Sequence, residues 1–258
     1  MNKTKELLKN GDFAIGAWVT IQHPDVAEIM ATLPFDWLLF DMEHSPAEIY
    51  SINMMLPALN GTDITPLIRV PWNDMVVIKR ALDIGAQGIL VPYVNSREEA
   101  ENAVRFTRYP PRGLRGVGPR RATRYGSIPA SEYYERFEED LLIGVQIETE
   151  EAVENVEDIA SVEGVDFLFI GPNDLSASLG VFNRLDDPKF QNAVQRVLEA
   201  CESSGKAPGI MCRGSEDAKM WMEKGFRFLA IAHDYSTLRR AYMNALKELR
   251  EKIEDMKR

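Results

Sequence analysis

Eight short runs of apolar, β-rich residues recur along the chain, each followed by a longer stretch of helical, amphipathic pattern. The runs are Phe13–Val19, Trp37–Asp41, Pro66–Val70, Gly88–Val91, Leu141–Ile147, Asp166–Ile170, Ala207–Met211 and Phe228–Ile231. Leu38-Leu39-Phe40 and Phe167-Leu168-Phe169-Ile170 have no polar face, as strands buried on both sides require. Eight βα units in 258 residues predict an α/β fold, a single (β/α)8 TIM barrel spanning residues 1–258. A doubly wound sheet is the alternative. Helix starts are expected at the capping boxes Ser45-Pro46-Ala47-Glu48 and Ser96-Arg97-Glu98-Glu99, and at Ser215.

Two stretches depart from the alternation. Tyr109–Asp140 is rich in Pro, Gly and Arg, and reads as a solvated surface loop or as an excursion whose arginines attract an acidic substrate. Its Gly113, Gly116 and Gly118 do not form a dinucleotide fingerprint, because no strand runs into them. The tail Leu238–Arg258 sets Leu238, Tyr242, Leu246, Leu249 and Ile253 at helical spacing, so a helix covering the barrel or lying in a subunit interface is expected.

Composition removes several functions. Thirty basic against forty acidic residues give a net charge of −10, the wrong sign for a nucleic-acid partner. No apolar run is long enough for a membrane span, and the opening MNKTKELLKNGD lacks the apolar core of a signal peptide. Cys201 and Cys212 make no disulfide framework, so a cytoplasmic location is expected.

Barrels of this kind carry their chemistry at the C-terminal ends of the strands. Those ends hold His23, Asp41, Glu43, His44, Arg69, Gln146, Glu148, Asn173, Asp174, Cys212 and His233, a set that includes every histidine of the chain. Glu148 and Asp174 follow adjacent strands, which lie ~4.8 Å apart. Two carboxylates so placed need a proton or a cation between them. The functional reading is a divalent cation site for Mg²⁺ or Mn²⁺, with Co²⁺ or Zn²⁺ as substitutes. The structural alternative makes Asp174 a helix cap and Glu148 a first-turn acid. Backbone N–H groups at Asn173, Asp174 and Leu175 open a helix and suit a substrate carboxylate. None of the eleven lysines sits on a strand or its C-terminal end, so Schiff-base chemistry is not expected. Cys212 reads as a buried thiol.

Six stretches now carry a resemblance. FDWLLFDMEHSP, PLIRVPWND, ALDIGAQGILVPYV, RYPPRGLRGVG, VQIETEEAV and GVDFLFIGPNDLSASLG, in that order between Gly16 and Gly180, resemble the HpcH/HpaI family of class II pyruvate aldolases. The resemblance implies a lyase of aromatic or sugar-acid catabolism that cleaves a 4-hydroxy-2-oxo acid to pyruvate and an aldehyde through a pyruvate enolate stabilised by a divalent metal. It implies metal ligation by Glu148 and Asp174, base function at His44, binding of the 2-oxo oxygen by Arg69 and a supporting place for Gln146 beside the metal. It also implies a homo-oligomer, a hexamer, with Asp83 as partner of His44. A barrel helix that starts at the catalytic face ends at the opposite one, so Asp83 is expected to reach the His44 of a neighbouring subunit. An enolate also permits oxaloacetate decarboxylation, and a catalytically silent assembly module is the reading from another class. Met42, Asn173 and the IAHDYSTL stretch depart from the family pattern and leave the aldehyde open. His233 borders the same mouth and is expected to influence that aldehyde.

Overall fold

The computed structural model describes residues 2–257; Met1 and Arg258, the two ends of the expected span, lie outside the described residues. Eight strands form one closed parallel barrel in chain order, which excludes the open doubly wound sheet. They are β1 (Ala14–Val19), β2 (Trp37–Asp41), β3 (Thr65–Arg69), β4 (Gly88–Val91), β5 (Leu142–Ile147), β6 (Phe167–Ile170), β7 (Ala207–Met211) and β8 (Phe228–His233). Closure comes from β1 pairing β8, with Ala14 opposite Phe228 and Trp18 opposite His233 across a bulge.

Side chains alternate across each strand. In β2, Leu38 and Phe40 pack outward under the helices, while Trp37 and Leu39 join the barrel interior with Leu67, Leu90, Leu142, Phe167, Phe169 and Phe228. The interior is filled by stacked rings: Trp37 lies 4.2 Å from Phe228, and Phe167 lies 4.4 Å from the same ring. Two glycines make that stacking possible. A Cβ on Gly16 would sit 2.1 Å from the Trp37 ring, and one on Gly144 would sit 2.1 Å from Phe167. The same two-residue period carries the inward column of β2 to Asp41, that of β3 to Arg69 and that of β5 to Gln146 and then Glu148. Fold and site are thus one alternation, apolar below and polar at the top.

The bottom of the barrel is closed by the first helix, Lys3–Lys9. Asn2 donates to the carbonyls of Gln87 and Asp140, and the Thr4 hydroxyl donates to the Asp36 carbonyl.

Three sequence expectations need correction. Ser45 does not start a helix. Its hydroxyl donates to the Asp41 carbonyl at 2.5 Å and accepts from the Ala47 amide at 3.2 Å, a local turn at the barrel mouth. The helix begins at Ile49, with the Glu48 amide donating to Ser51 Oγ. Ser215 is the first helical residue and Gly214 the cap, while Ser96 caps as expected, accepting from the Glu99 amide. Tyr109–Asp140 is no solvated loop: it includes the helix Ala130–Asp140, and Arg115 within it is wholly buried.

The tail is helical, Asp234–Lys257, but it does not cover the barrel. Asp234 ties its base to the first loop by accepting from the amides of Thr20 and Ile21, and none of its side chains is buried. Among the described residues no helix is long and apolar enough to cross a membrane.

Candidate active site

Strand register sets the centre of the site. Asp41 and Arg69 are opposite residues in the β2–β3 pairing, and Asp41 accepts from Arg69 Nε and Nη2, both at 2.8 Å. Asp41 Oδ1 also accepts from the Glu43 amide at 3.0 Å, so one carboxylate fixes the arginine and the turn after β2 together. Arg69 Nη1 lies 2.6 Å from Glu43 Oε2, an ion-pair distance but off the N–H direction, so that oxygen makes no hydrogen bond. Gln146 Oε1 accepts from the same nitrogen at 3.4 Å. Trp18 lies beneath, its ring 4.2 Å from the guanidinium carbon.

Glu148 is buried beside this cluster. Its Oε1 accepts from the Tyr93 amide at 2.8 Å and its Oε2 from Gln146 Nε2 at 2.6 Å. Burial first, then the nearby carboxylates of Glu43 and Asp174, push the Glu148 carboxyl up to about 7 against the Tyr93 amide and Arg69. Glu43 is also raised, by burial before all else, with Arg69 and His44 opposing. Gly171 lets the strand pass close, since a Cβ there would lie 2.8 Å from Glu148 Oε2. Tyr93 holds its amide on Glu148 with a left-handed φ of 50°. That backbone costs a bulky residue about 1–3 kcal/mol and marks a position the site maintains.

Asp174 stands in the first turn of the helix Pro172–Ser178 and acts electrostatically on both Glu43 and Glu148. Among the described residues no group of three or more His, Cys, Asp or Glu side chains is placed to hold a metal. The neighbouring carboxylates of Glu43, Glu148 and Asp174 are nevertheless hard oxygen donors of the kind a divalent cation takes. The Leu175 amide is not available to a substrate carboxylate, because it donates to the Gly171 carbonyl as the first helical bond. Only Asn173 and Asp174 keep first-turn N–H groups for that role.

The histidines separate. His44 is 59% exposed at the mouth, with Nε2 3.8 Å from Glu43 Oε1. His23 caps the helix Pro24–Ala31. His233 stacks on Trp18 at 5.8 Å, and burial followed by Arg69 lowers its pKa. Cys212 is buried and its thiol is pushed up to about 12, as expected of an inert cysteine.

Asp83 does not join the cluster within this chain. It ends the helix Met75–Asp83 and accepts from Arg115 Nη2 at 2.7 Å. Arg121 reaches the same helix end, donating to the Ile84 carbonyl. Arg115 and Arg121 thus bind the excursion to the barrel. The sequence named Asp41 and Glu43 on the rim without giving either a role. The inward alternation of WLLFD was the available signal for Asp41. Tyr93 had none.

The model of the HpcH/HpaI aldolase/citrate lyase family matches residues 14–241. The chain belongs to that family. A 5-keto-4-deoxy-D-glucarate aldolase of Shigella boydii is 40% identical over 241 residues, 93% of each chain. The crystal structure of an HpcH/HpaI aldolase/citrate lyase family protein from Burkholderia cenocepacia superposes with a TM-score of 0.93 at 35% identity, covering 97% of this chain and all of that one. The citrate synthase SbnG structure gives 0.86 at 30% identity, covering 96% of this chain and 97% of that one. This HpcH/HpaI member is therefore an aldolase-class enzyme on a TIM barrel, and its carboxylate cluster lies where such barrels keep their chemistry.

Proposed function

We propose that this HpcH/HpaI protein is a divalent-metal-dependent aldolase that cleaves a 4-hydroxy-2-oxo acid into pyruvate and an aldehyde, and joins them in reverse. The observation that supports it most is the buried Glu148, held by Gln146 and the Tyr93 amide and facing Asp174 and Glu43 around Arg69. Glu148 and Asp174 would hold the cation, Mg²⁺ or Mn²⁺ by the hardness of the oxygen donors, and when bound it supplies Lewis-acid stabilisation of the developing negative charge.

The chain's own residues do the rest. Arg69, already oriented by Asp41, directs its charge at the 2-oxo oxygen. The Asn173 and Asp174 amides receive the pyruvate carboxylate. His44 moves the proton between solvent and the reacting oxygen or carbon, with Glu43 as the nearest carboxylate. The 40% identity to an aldolase of 5-keto-4-deoxy-D-glucarate favours a sugar-acid-derived substrate.

The test is exchange of pyruvate methyl protons with D₂O, followed by NMR with EDTA and with added Mn²⁺ or Mg²⁺. Metal-dependent exchange, lost in Arg69→Ala, is the expected result. No exchange from folded protein with any metal would remove pyruvate as the nucleophile.

A further inference from the structure

We propose that Tyr93 and Trp72 form an aromatic wall at the barrel mouth that selects the acceptor aldehyde by length, Tyr93 receiving the atoms next to the new bond and Trp72 the carbons beyond them. The proposal rests on the aldolase reading and extends it to the half of the substrate that the polar cluster does not address.

Tyr93 comes two residues after β4, and its left-handed backbone places the amide on Glu148. The ring is part-buried, and its phenol is influenced by Asp174, Glu148 and Glu43 together, which sets it at the border of the carboxylate cluster. Trp72 comes three residues after Arg69, at the end of β3. It is 59% exposed, and its ring centroid lies 5.9 Å from that of Tyr93 at an interplanar angle of 30°. The two rings therefore stack on one another, Tyr93 on the side of the carboxylates and Trp72 toward solvent.

An indole left this exposed beside a polar site is a contact surface in waiting. The pyruvate half has its partners in Arg69, the carboxylates and the first-turn amides. Ring faces suit the C–H side of a hydroxylated or alkyl chain, and the Tyr93 hydroxyl offers a donor to its oxygens. A two-carbon acceptor ends at Tyr93, whereas a four-carbon acceptor extends to Trp72.

The experiment compares wild type, Trp72→Ala and Tyr93→Asn, loaded with Mn²⁺. Asparagine removes the ring yet tolerates the left-handed backbone that holds Glu148. Aldol addition of pyruvate to glycolaldehyde, succinic semialdehyde and D-erythrose gives kcat/KM, and D₂O exchange of pyruvate gives the acceptor-independent reference. Trp72→Ala is expected to lose about tenfold on both four-carbon acceptors and less than twofold on glycolaldehyde. Tyr93→Asn is expected to lose about tenfold on all three acceptors, measured relative to the variant's own rate of pyruvate exchange. Equal losses on short and long acceptors in Trp72→Ala, or no loss at all, overturn the wall. A loss of exchange in Tyr93→Asn that fully accounts for its loss of addition confines that residue to holding Glu148 and overturns its part. A wild type that does not exchange overturns the aldolase reading and the wall with it.

Discussion

Asp41 and Arg69 face each other in the register of β2 and β3, and the carboxylate holds the guanidinium through two 2.8 Å hydrogen bonds. A forked pair of this kind fixes direction as well as charge. Arg69 is 6% exposed, so its orientation depends on protein partners and not on water. Asp41→Asn keeps the volume and removes the charge. The expected outcome is a folded protein with kcat/KM for pyruvate lower by about 10- to 100-fold, from the ~1.5–3 kcal/mol of a charged hydrogen bond. Steady-state kinetics with circular dichroism check it, and unchanged kinetics would mean that Arg69 is positioned without Asp41.

Glu148 makes stability depend on pH. Its carboxyl ionises near 4.5 in an unfolded chain and near 7 in the metal-free fold, because burial and neighbouring carboxylates oppose its charge. The folded state therefore binds more protons between those values. The stability is fully present below about pH 4.5 and is lost as pH rises through 7. Metal-free Glu148→Gln should show a flatter fall in Tm from pH 5 to 7.5 than wild type. Added Mn²⁺ should raise the wild-type Tm more at pH 7.5 than at pH 5.5, where a proton competes for the same oxygens. Equal metal shifts at both pH values would detach Glu148 from the cation.

The strands and the polar positions at their C-terminal ends were legible because burial imposes a pattern on sequence. Apolar runs bounded by turns located all eight strands to within two residues at either end. What failed depends on contacts distant in sequence or on backbone alone. Nothing local in Arg115 shows that its charge will be buried against Asp83, 32 positions away. Ser45 carries every mark of a helix cap, yet its hydroxyl donates to the carbonyl of Asp41, the last residue of β2, so the local motif yields to the turn that presents His44. Tyr93 contributes an amide, which no side-chain identity announces.

Arg115 and Asp83 separate a structural role from a catalytic one. The arginine side chain is 1% exposed, and removing its partner leaves a buried charge uncompensated. Asp83→Asn should therefore cost about 3 kcal/mol in urea unfolding. The expected role of Asp83 at a neighbouring subunit's His44 is a different quantity. Mixing inactive His44→Ala with Asp83→Asn should restore partial activity after subunit exchange. Recovery absent from verified hybrids would confine Asp83 to holding Arg115.

His233 stacks on Trp18, the ring that also lies under Arg69. Its replacement by alanine opens the β8 side of the mouth without touching Glu148. His233→Ala should change KM for the aldehyde by about three- to tenfold and the D₂O exchange rate far less, from the ~1 kcal/mol of a ring contact. Identical kinetics across a panel of aldehydes would remove His233 from the acceptor site.

The helix Asp234–Lys257 is held at its base by Asp234 and presents Leu238, Tyr242, Leu246, Leu249 and Ile253 outward, each at least 41% exposed. Twenty-four residues make a helix of about 36 Å, so these side chains line a long apolar stripe that no described residue buries. Soluble monomers rarely leave so much contiguous apolar surface to water. A homo-oligomer is the expected state, and the family resemblance puts it at six subunits. Light scattering after gel filtration should give a mass several times the 29.2 kDa of one chain. Leu238→Lys with Leu246→Glu places charge at the start and in the middle of the stripe while leaving the helix able to form, and should shift that mass downward. A wild type at 29.2 kDa would show that the stripe has no partner, and an oligomer indifferent to both charges would place the interface elsewhere on the barrel.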